Sequence, residues 1–503
     1  MNFNLLKAQC FLGTRTLVRA LCFSCLKPAL KYGFQKNISV NLNFQRKLIL
    51  NYHEINTIKR RDMSNKLHIV SLGCTKNLVD TEVMMGKLQN FELTDNNEEA
   101  DVIIVNTCGF IDAAKEESLN TVLSLHDARK EDSVLVMAGC LSERYKDELM
   151  EQIPEVDIFT GVGDYDKIDE LLLEKKSRFS DEVYLIDGAE RVVTGSTYHA
   201  YIKLSEGCNQ TCSFCAIPSF KGKLNSRDLD SIAKEVEGLV KKGYWDFSFV
   251  SQDSSSYLRD QNVKDGLSLL MQRIELIEGV KSARILYLYP STTSMKLLQN
   301  IAKSKIFHNY FDMPIQHIND EMLRIMKRGF GREKTLELLN FMRSLPNSFV
   351  RTSFIVGHPH ETQEMFDEMC EFTKNFGFDR INVFSYSDEE TTSAYEMQDK
   401  ISDELKAQRA QILGDIAAEC TKVSLKKEVG KTRQIVIDGE SDEHEYLLSA
   451  RELIWAPEID GEIYVNDKTL DEDLEFGKAY LAKITELVGN TLTATVDNAQ
   501  KQD

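Results

Sequence analysis

The chain is poor in cysteines, in long apolar runs and in positive charge, and each shortage excludes a class of protein. Its 503 residues include only eleven cysteines, which do not form an even disulfide framework, so a reducing compartment is expected. No uninterrupted apolar run reaches the roughly 18 residues that a membrane-spanning helix needs. Positive charge is also scarce, since 61 basic residues against 79 acidic ones leave a formal net charge of −18. That balance argues against broad affinity for nucleic acid and favours a basic protein partner.

The composition otherwise indicates a folded chain of two to four domains, with 42% hydrophobic and 28% charged residues. Residues 1–62 stand apart, because they hold eleven Lys or Arg against two acids, Glu54 and Asp62. Such a basic extension is typical of an organelle transit peptide, which would place the protein in a mitochondrion or another organelle. The alternative is that translation begins at Met63 and the protein is cytoplasmic. Composition leaves both open.

From residue 66 to about 180, short β-rich runs alternate with helical stretches, which predicts a parallel α/β domain. The runs are LHIVSLG (67–73), DVIIVNT (101–107) and SVLVMAG (133–139). A cysteine follows each run at once: Cys74, Cys108 and Cys140. Because ligands collect at the carboxyl ends of parallel strands, we expect the three thiolates to meet around one metal centre. The alternative, a small buried apolar role, is less favoured for three cysteines in equivalent places.

A second series of β/α units occupies residues 195–428. Its strand candidates are 200–204, 246–252, 283–289, 310–316, 350–357 and 380–386. Six such units predict a partial (β/α)6 barrel, whose chemistry should lie at the carboxyl ends of the strands.

Three further cysteines, Cys208, Cys212 and Cys215, lie within eight positions after the first of these strands. A structural zinc ion needs four ligands and a disulfide needs two, so three is an incomplete set for either. No His or Cys occurs between Cys215 and His308 to complete a zinc site. Three thiolates can instead hold three irons of a 4Fe–4S cluster, leaving the fourth iron open to a substrate or cofactor.

The pattern Cys208-x-x-x-Cys212-x-Phe214-Cys215 resembles the signature loop of radical S-adenosylmethionine enzymes. The contexts SLGCTKNLVDTE, NTCGFIDAAKEES and AGCLSERY, around Cys74, Cys108 and Cys140, resemble the domain that gives the methylthiotransferase branch its second cluster. The resemblance covers nearly everything from Lys66 to the end. It implies two 4Fe–4S clusters, one on each cysteine triad, together with S-adenosylmethionine.

Members of this branch replace a C–H bond by C–S–CH3, either on a tRNA adenosine or on an aspartate of the small-subunit ribosomal protein S-twelve. The stretches 73–82, 106–118 and 456–465 resemble the ribosomal-protein enzyme more closely. Residues 430–500 resemble a TRAM-like β-barrel, and from Gly430 onward they form an acidic region with 17 acids against 7 bases. Such a surface repels phosphate and attracts a basic ribosomal protein, free or in the small subunit. A tRNA enzyme remains the alternative, and a non-enzymatic iron–sulfur electron carrier is the alternative of another class.

The implied mechanism begins when one electron from an external donor reduces the cluster at Cys208, Cys212 and Cys215. S-adenosylmethionine bound at its open iron then yields a radical that takes hydrogen from the aspartate β-carbon, and the other cluster delivers the methylthio group. Polar residues at the carboxyl edge of the second sheet are candidates for cofactor contacts, although each could instead satisfy loop backbone. These candidates are Ser251, Gln252, Asp253, Gln316, His317 and Gly357.

Two further features concern this region. Where the family usually has a glycine-rich turn after the fifth strand, the chain carries His358 and His360, which puts close backbone approach there in doubt. The basic clusters at Lys221, Lys223 and Arg227 and at residues 326–334 are interpreted as solvated surface rather than as contacts for a phosphate or carboxylate.

Overall fold

A computed structural model describes residues 65–186, 191–441, 444, 446–468 and 473–496. The basic segment 1–62, its cysteines Cys10, Cys22 and Cys25, and the choice between Met1 and Met63 lie outside these residues. Within the described ranges, no helix combines the length and the apolar character needed to cross a membrane.

The N-terminal sheet is parallel, in the order β2-β1-β3-β4-β5. Its strands are β1 (Lys66–Ser71), β2 (Glu92–Leu93), β3 (Val102–Thr107), β4 (Val134–Gly139) and β5 (Ile158–Phe159). The central strand β3 reads VIIVNT and is buried throughout, as expected for a parallel strand flanked on both sides and covered by helices. The three predicted strands are therefore present, and β2 and β5 extend the sheet as short edge strands.

Helices follow the strands of this sheet. They are α1 (Thr75–Lys87), α2 (Asp112–Ala128), α3 (Cys140–Arg144), α4 (Lys146–Gln152) and α5 (Ile168–Glu174). α3 and α4 are separated at Tyr145, whose backbone (φ −129°, ψ 35°) leaves the helical region. α3 begins at Cys140 itself, so this cysteine lies at the first turn of a helix.

The central part forms the predicted partial parallel barrel. Its strands are β6 (His199–Lys203), β9 (Asp246–Val250), β10 (Ser282–Ile285), β11 (Tyr310–Asp312), β12 (Phe349–Val356) and β13 (Arg380–Ser385). They pair in the orders β10-β9-β6 and β11-β12-β13, and a parallel bridge between Ala283 and Phe307 joins the two sets. Between β6 and β9 lies a small antiparallel hairpin of β7 (Ser205–Glu206) and β8 (Asn225–Ser226).

Helices alternate with the strands of the central part. They are α6 (Ile217–Phe220), α7 (Leu229–Lys241), α8 (Gly266–Glu275), α9 (Met295–Lys303), α10 (Asp320–Ile325), α11 (Arg332–Ser344), α12 (Gln363–Phe376) and α13 (Asp403–Lys426). The core between strands and helices includes Ile202, Phe247, Phe249, Phe311 and Phe354, none of which is more than marginally exposed. The strand predicted over 310–316 ends early at Asp312, because Pro314 has no N–H for the ladder and Gln316 adopts a φ of +72°.

The C-terminal strands close into a small barrel in the order β14-β15-β16-β18-β17, which confirms the β-barrel prediction. They are β14 (Thr432–Glu440), β15 (Leu448–Glu452), β16 (Ile463–Lys468), β17 (Ala479–Val488) and β18 (Thr491–Val496). The loop between β15 and β16 contacts the amino-terminal halves of the central strands: Tyr201 Oη donates to Pro457 O (2.7 Å), and Arg380 Nε donates to Asp460 O (2.6 Å). The small barrel thus packs at the end of the central barrel opposite to the cysteine loops.

Candidate active site

The first cysteine triad lies at the carboxyl edge of the N-terminal sheet. Cys74 and Cys108 come after β1 and β3, and Cys140 comes directly after β4. The turns are in close contact. A Cβ atom on Gly73 would lie 2.8 Å from Cys108 Cβ, and one on Gly109 would lie 3.0 Å from the carbonyl carbon of Cys140. The structure therefore brings the three predicted cysteine loops together.

Asn77, on the first turn of α1, ties these loops to one another. Its Nδ2 donates to Leu72 O and to Thr107 O, each at 3.1 Å, and the Cys140 thiol approaches its Oδ1 at 3.6 Å. Asn77 is 2% exposed, so the loss of any of these contacts would leave a buried polar group unpaired. Sequence reasoning did not single out Asn77, although it lies three residues after Cys74.

The electrostatics of this triad differ from one cysteine to the next. Burial raises the pKa of Cys140 to about 12 and that of Cys108 well above the usual thiol value. For Cys74, burial also acts to raise the pKa, but the Lys76 ammonium and two backbone N–H groups lower it below the usual value. Cys74 is the thiol of this triad that is most readily ionised.

The second triad lies on the loop between β7 and β8. The antiparallel pairing of these strands closes the loop, and Gly207 adopts a φ of +71° where a Cβ atom would meet the Lys223 carbonyl. Cys208 N donates to Gly222 O (3.2 Å), and Cys215 N donates to Cys212 O (3.2 Å). Burial raises the pKa of Cys208 and of Cys215 to about 12. The loop therefore presents its three partly exposed thiols in one compact turn.

Cys212 has polar partners from the barrel. Arg328 Nη1 donates to its Sγ at 3.1 Å, and Tyr289 Oη lies 3.4 Å from the same atom. The Arg328 guanidinium also lies 4.2 Å above the Tyr289 ring centroid. These two side chains therefore fix the position of the Cys212 sulfur at the barrel edge.

The donor sets are consistent with clusters rather than with single ions. Among residues 65–496 that the structure describes, no three His, Cys, Asp or Glu side chains converge closely enough to hold one metal ion. A 4Fe–4S cluster differs in needing its thiolates spread around it, one for each of several irons. Two sets of three free cysteines match that chemistry.

The predicted cofactor contacts fall into two groups. Gln252 and Gln316 each bury a side-chain Oε1 atom that accepts no hydrogen bond from any described residue. Gln252 Nε2 meanwhile donates to Glu206 Oε2 at 3.0 Å, which fixes the amide beside the second cysteine loop. Buried amide oxygens of this kind are free to accept from a ligand.

Ser251 and Gly357 have internal roles in the structure. Ser251 Oγ donates to Ser254 Oγ (3.3 Å), in the turn after β9. Gly357 has a φ of +75°, its N–H donates to Glu361 Oε2 (3.0 Å), and a Cβ atom there would collide with the Lys406 side chain on α13. Its missing side chain therefore makes room for a helix.

Asp253 and His317 also satisfy their own loops. Asp253 accepts from Ser256 N and from Ser255 Oγ, and its Oδ2 accepts from Gln210 Nε2 (2.8 Å) within the second cysteine loop. His317 Nδ1 accepts from two backbone N–H groups, and burial lowers its pKa to about 3. The alternative given for these two residues, that they satisfy loop backbone, matches the bonds of Asp253 and of His317 Nδ1, whereas the buried Nε2 of His317 has no hydrogen-bond partner among the described residues.

His358, which departs from the family pattern, holds the second cysteine loop. Its Nε2 lies 2.9 Å from Ser213 Oγ, and its ring meets Phe214 edge-on with centroids 6.3 Å apart. Ser213 N donates to Met326 O (3.1 Å). His358 is fully buried and packs beneath the loop, so it contributes a contact there that a glycine could not make.

The interpretation of the basic clusters as solvated surface is wrong for their central members. Lys221, Arg227 and Arg328 are all less than 5% exposed. Arg227 pairs with Glu235 (2.6 Å), and Lys221 lies between Asp80 (3.6 Å) and Glu206 (3.4 Å). Local sequence shows the charge but not the distant acids that make burial of the charge possible.

Residues 386–395, between β13 and α13, contact both cysteine loops, and we call this segment the strap. Glu389 is 1% exposed and binds Lys115 (2.8 Å) and Arg144 (2.6 Å), and Arg144 also donates to the carbonyl of Gly109. Further along the strap, Ala394 N donates to Ser213 O (2.8 Å). The strap therefore links the loop after Cys108 to the loop between Cys212 and Cys215.

Comparison with known families matches the three parts of the chain separately. Residues 66–161 match the family described as Uncharacterized protein family UPF0004, residues 202–373 match the Radical SAM superfamily, and residues 429–496 match the TRAM domain.

Similar full-length proteins carry one shared name, Ribosomal protein uS12 methylthiotransferase RimO. The protein of Sulfurimonas denitrificans is 81% identical over 439 residues, which are 87% of this chain and 100% of that protein. Those of Aliarcobacter butzleri and Wolinella succinogenes are 65% and 55% identical, and each alignment covers 86% of this chain and 97% and 99% of the relative.

Proposed function

Since the chain belongs to the ribosomal protein uS12 methylthiotransferase family, we propose that it adds a methylthio group to the β-carbon of an aspartate in uS12, using two 4Fe–4S clusters. The chain is a radical SAM methylthiotransferase. The observation that carries the finer proposal is the presence of two separate sets of three cysteines, one on the loops after the parallel strands β1, β3 and β4 and one on the loop between β7 and β8. A set of three leaves one iron of each cluster for chemistry.

As a radical SAM protein the chain uses S-adenosylmethionine and a 4Fe–4S cluster. We assign that cluster to Cys208, Cys212 and Cys215, and a second one to Cys74, Cys108 and Cys140. When bound, these groups supply the hydrogen-abstracting radical and the sulfur, which no acid or base of the chain could supply.

The residues of the chain have four tasks in this proposal. The six thiols hold iron, Arg328 donates a hydrogen bond to the sulfur of Cys212, and the free amide oxygens of Gln252 and Gln316 accept hydrogen bonds from S-adenosylmethionine. The strap keeps the two cysteine loops in a fixed relation.

Charge supports uS12 as the partner and disfavours tRNA. From Gly430 onward the chain carries 17 acids and 7 bases, a balance that attracts a basic ribosomal protein and repels a phosphate backbone. Because the named relatives are bacterial proteins, we place the reaction in the cytoplasm. An organelle location would depend on residues 1–62.

The test uses protein reconstituted anaerobically with iron and sulfide, then mixed with S-adenosylmethionine, reductant and either small ribosomal subunits or unmodified tRNA. Mass spectrometry then measures the added S–CH3 mass on each. We expect it on a uS12 aspartate alone. Its appearance on tRNA adenosine alone would overturn the assignment of substrate but not that of the radical SAM chemistry.

A further inference from the structure

Lys76 extends from the N-terminal domain to the carboxyl edge of the central barrel. It lies two residues after Cys74, on the first turn of α1, and its Nζ lies 3.8 Å from the ring centroid of Tyr287. Tyr287 follows β10 with a φ of +61°, and its N–H donates to Asp312, the last residue of β11 (3.1 Å). The ammonium is therefore placed where the loops of the two domains meet.

Several other cations at this edge are already matched by fixed partners. Lys203 contacts both Asp80 and Glu206, and Lys221 lies within 4 Å of the same two carboxylates. Arg351 faces Asp312 at 3.5 Å. Arg328 donates to Cys212 and to a backbone carbonyl. Each of these charges is used within the fold.

Lys76 differs from this group. Among the described residues, no carboxylate oxygen lies within 4 Å of its Nζ, which lies over the face of the Tyr287 ring. Its side chain is partly exposed, so a ligand can reach it. A partly buried ammonium without a carboxylate partner has charge available for an anion that arrives from outside.

An aspartate side chain brought to this edge needs such a charge. Removing a carboxylate from water is costly unless a cation or hydrogen-bond donors replace the water. The fixed acids Glu206 and Asp312 are near Lys76 and would repel the incoming carboxylate.

We propose that the Lys76 ammonium binds the carboxylate of the substrate aspartate and so selects aspartate over neutral side chains. This inference rests on the proposed function, because it assumes that the substrate is an aspartate of uS12. In this arrangement the aspartate β-carbon lies beside the carboxylate that Lys76 holds, between the two cysteine loops. Lys76 thus determines specificity and takes no part in radical formation.

The test compares two substrates on three enzymes. The substrates are small ribosomal subunits with the natural uS12 aspartate or with asparagine in its place. The enzymes are the wild type, Lys76→Met, which removes the charge at similar length, and Lys76→Arg, which keeps it. Two quantities are measured: kcat/KM for methylthio transfer, and the Kd of each subunit for the cluster-loaded enzyme without reductant, where no turnover occurs.

We expect the wild type to prefer aspartate about 10- to 100-fold in both quantities. Lys76→Met should lose most of that ratio by weakening the aspartate substrate alone, and Lys76→Arg should keep most of it. Lys223→Met, which removes an exposed lysine beside the second cysteine loop, is the matched control and should keep the full ratio. The rate of 5′-deoxyadenosine release without substrate should not change in Lys223→Met.

A contrary role for Lys76 is to balance the charge of a cluster at Cys74. In that case Lys76→Met would shift the electron paramagnetic resonance spectrum or potential of that cluster and would leave the aspartate to asparagine ratio intact. That result, or an equal loss for both substrates, would overturn the inference while the proposed function stands. A wild type that modifies neither subunit would instead count against the proposed function itself.

Discussion

The two ends of the central barrel use buried charge in different ways. At the amino end, the fully buried Asp246 forms ion pairs with Arg284 (Nη2 to Oδ1, 2.7 Å) and with Arg451 (Nη2 to Oδ2, 2.5 Å). Arg284 also donates to the carbonyl of Leu453 (2.8 Å), which fixes the loop of the small β-barrel. These partners hold the pKa of Asp246 well below its usual range, although burial opposes them. Both carboxylate oxygens of Asp246 are therefore paired.

At the carboxyl end, buried polar atoms remain available. In the described part of the chain, the Oε1 atoms of Gln252 and Gln316 accept no hydrogen bond. A folded protein seldom leaves buried groups in this state unless a ligand, ion or water completes them. The amino end thus joins the central barrel to the small β-barrel, whereas at the carboxyl end we propose that the free amide oxygens of Gln252 and Gln316 bind S-adenosylmethionine.

Loss of a cluster thiol should have the largest effect. Cys208→Ala removes one ligand of the cluster that would supply the radical. Methylthio transfer should therefore fall at least about 10³-fold. Cys420→Ala, whose thiol contacts only Thr373 O (3.5 Å), is the control and should keep full activity in the anaerobic assay. Full activity of Cys208→Ala would show that the second triad does not hold a catalytic cluster.

Breaking the charge cluster at the amino end should affect stability instead. Arg284→Met leaves Asp246 with one of its two arginines, and we expect the free energy of unfolding to fall by about 3 kcal/mol. Denaturant melts of the cluster-free protein measure this loss. Arg324→Met, at an exposed ion pair, should change stability by less than about 0.5 kcal/mol. Equal losses in the two variants would show that the amino end has no special structural role.

Weakening the strap should have an effect of intermediate size on the yield of methylthio product. Glu389→Gln removes the carboxylate that binds Lys115 and Arg144, so the two cysteine loops should be held less accurately. We expect about a tenfold rise in 5′-deoxyadenosine released per methylthio group formed, because misplacement of reacting groups is costly. Pulsed electron paramagnetic resonance should show a broader distance distribution between the reduced clusters.

Glu396→Gln, an exposed acid just beyond the strap, is the control for that experiment. It should leave both the product ratio and the distance distribution unchanged. If Glu389→Gln behaves in the same way as this control, the strap does not position the clusters.

The smallest predicted effect is a pH dependence at the amino end. Burial lowers the pKa of His308 to about 4, below the usual value of 6.5, and its Nε2 lies 2.9 Å from Ser282 Oγ. Because the folded form holds this ring neutral, its contribution is complete above pH 6.5 and is lost as pH falls toward 4. His308→Gln should therefore reduce the loss of stability between pH 7 and pH 5 by about 1 kcal/mol. An unchanged slope would contradict this.

The sequence predicts much of this arrangement, because its main signals are local. Buried β-rich runs such as 101–107 locate the strands, and a cysteine at each strand end locates the first triad. The tight spacing from Cys208 to Cys215 locates the second. These patterns depend on residues close together in the chain, which periodicity and spacing can read.

Other features depend on contacts between distant segments. Lys221 and Arg227 look like surface charges until Asp80, Glu206 and Glu235 are placed around them. Arg144 and Glu389 are 245 residues apart, and no local sequence pattern predicts their contact. Gly357 has the conformation expected of a glycine turn, but its open side is filled by Lys406. Long-range packing decides these cases, and it overrides what the local sequence indicates.

The most direct test of two separate cluster sites is to remove each triad in turn and count iron. The wild type should bind about eight irons per chain as two 4Fe–4S clusters. Replacing Cys74, Cys108 and Cys140 together by alanine should leave about four irons and reductive cleavage of S-adenosylmethionine, with no methylthio transfer. A variant without these three cysteines that still binds about eight irons, or still transfers the methylthio group, would contradict the account.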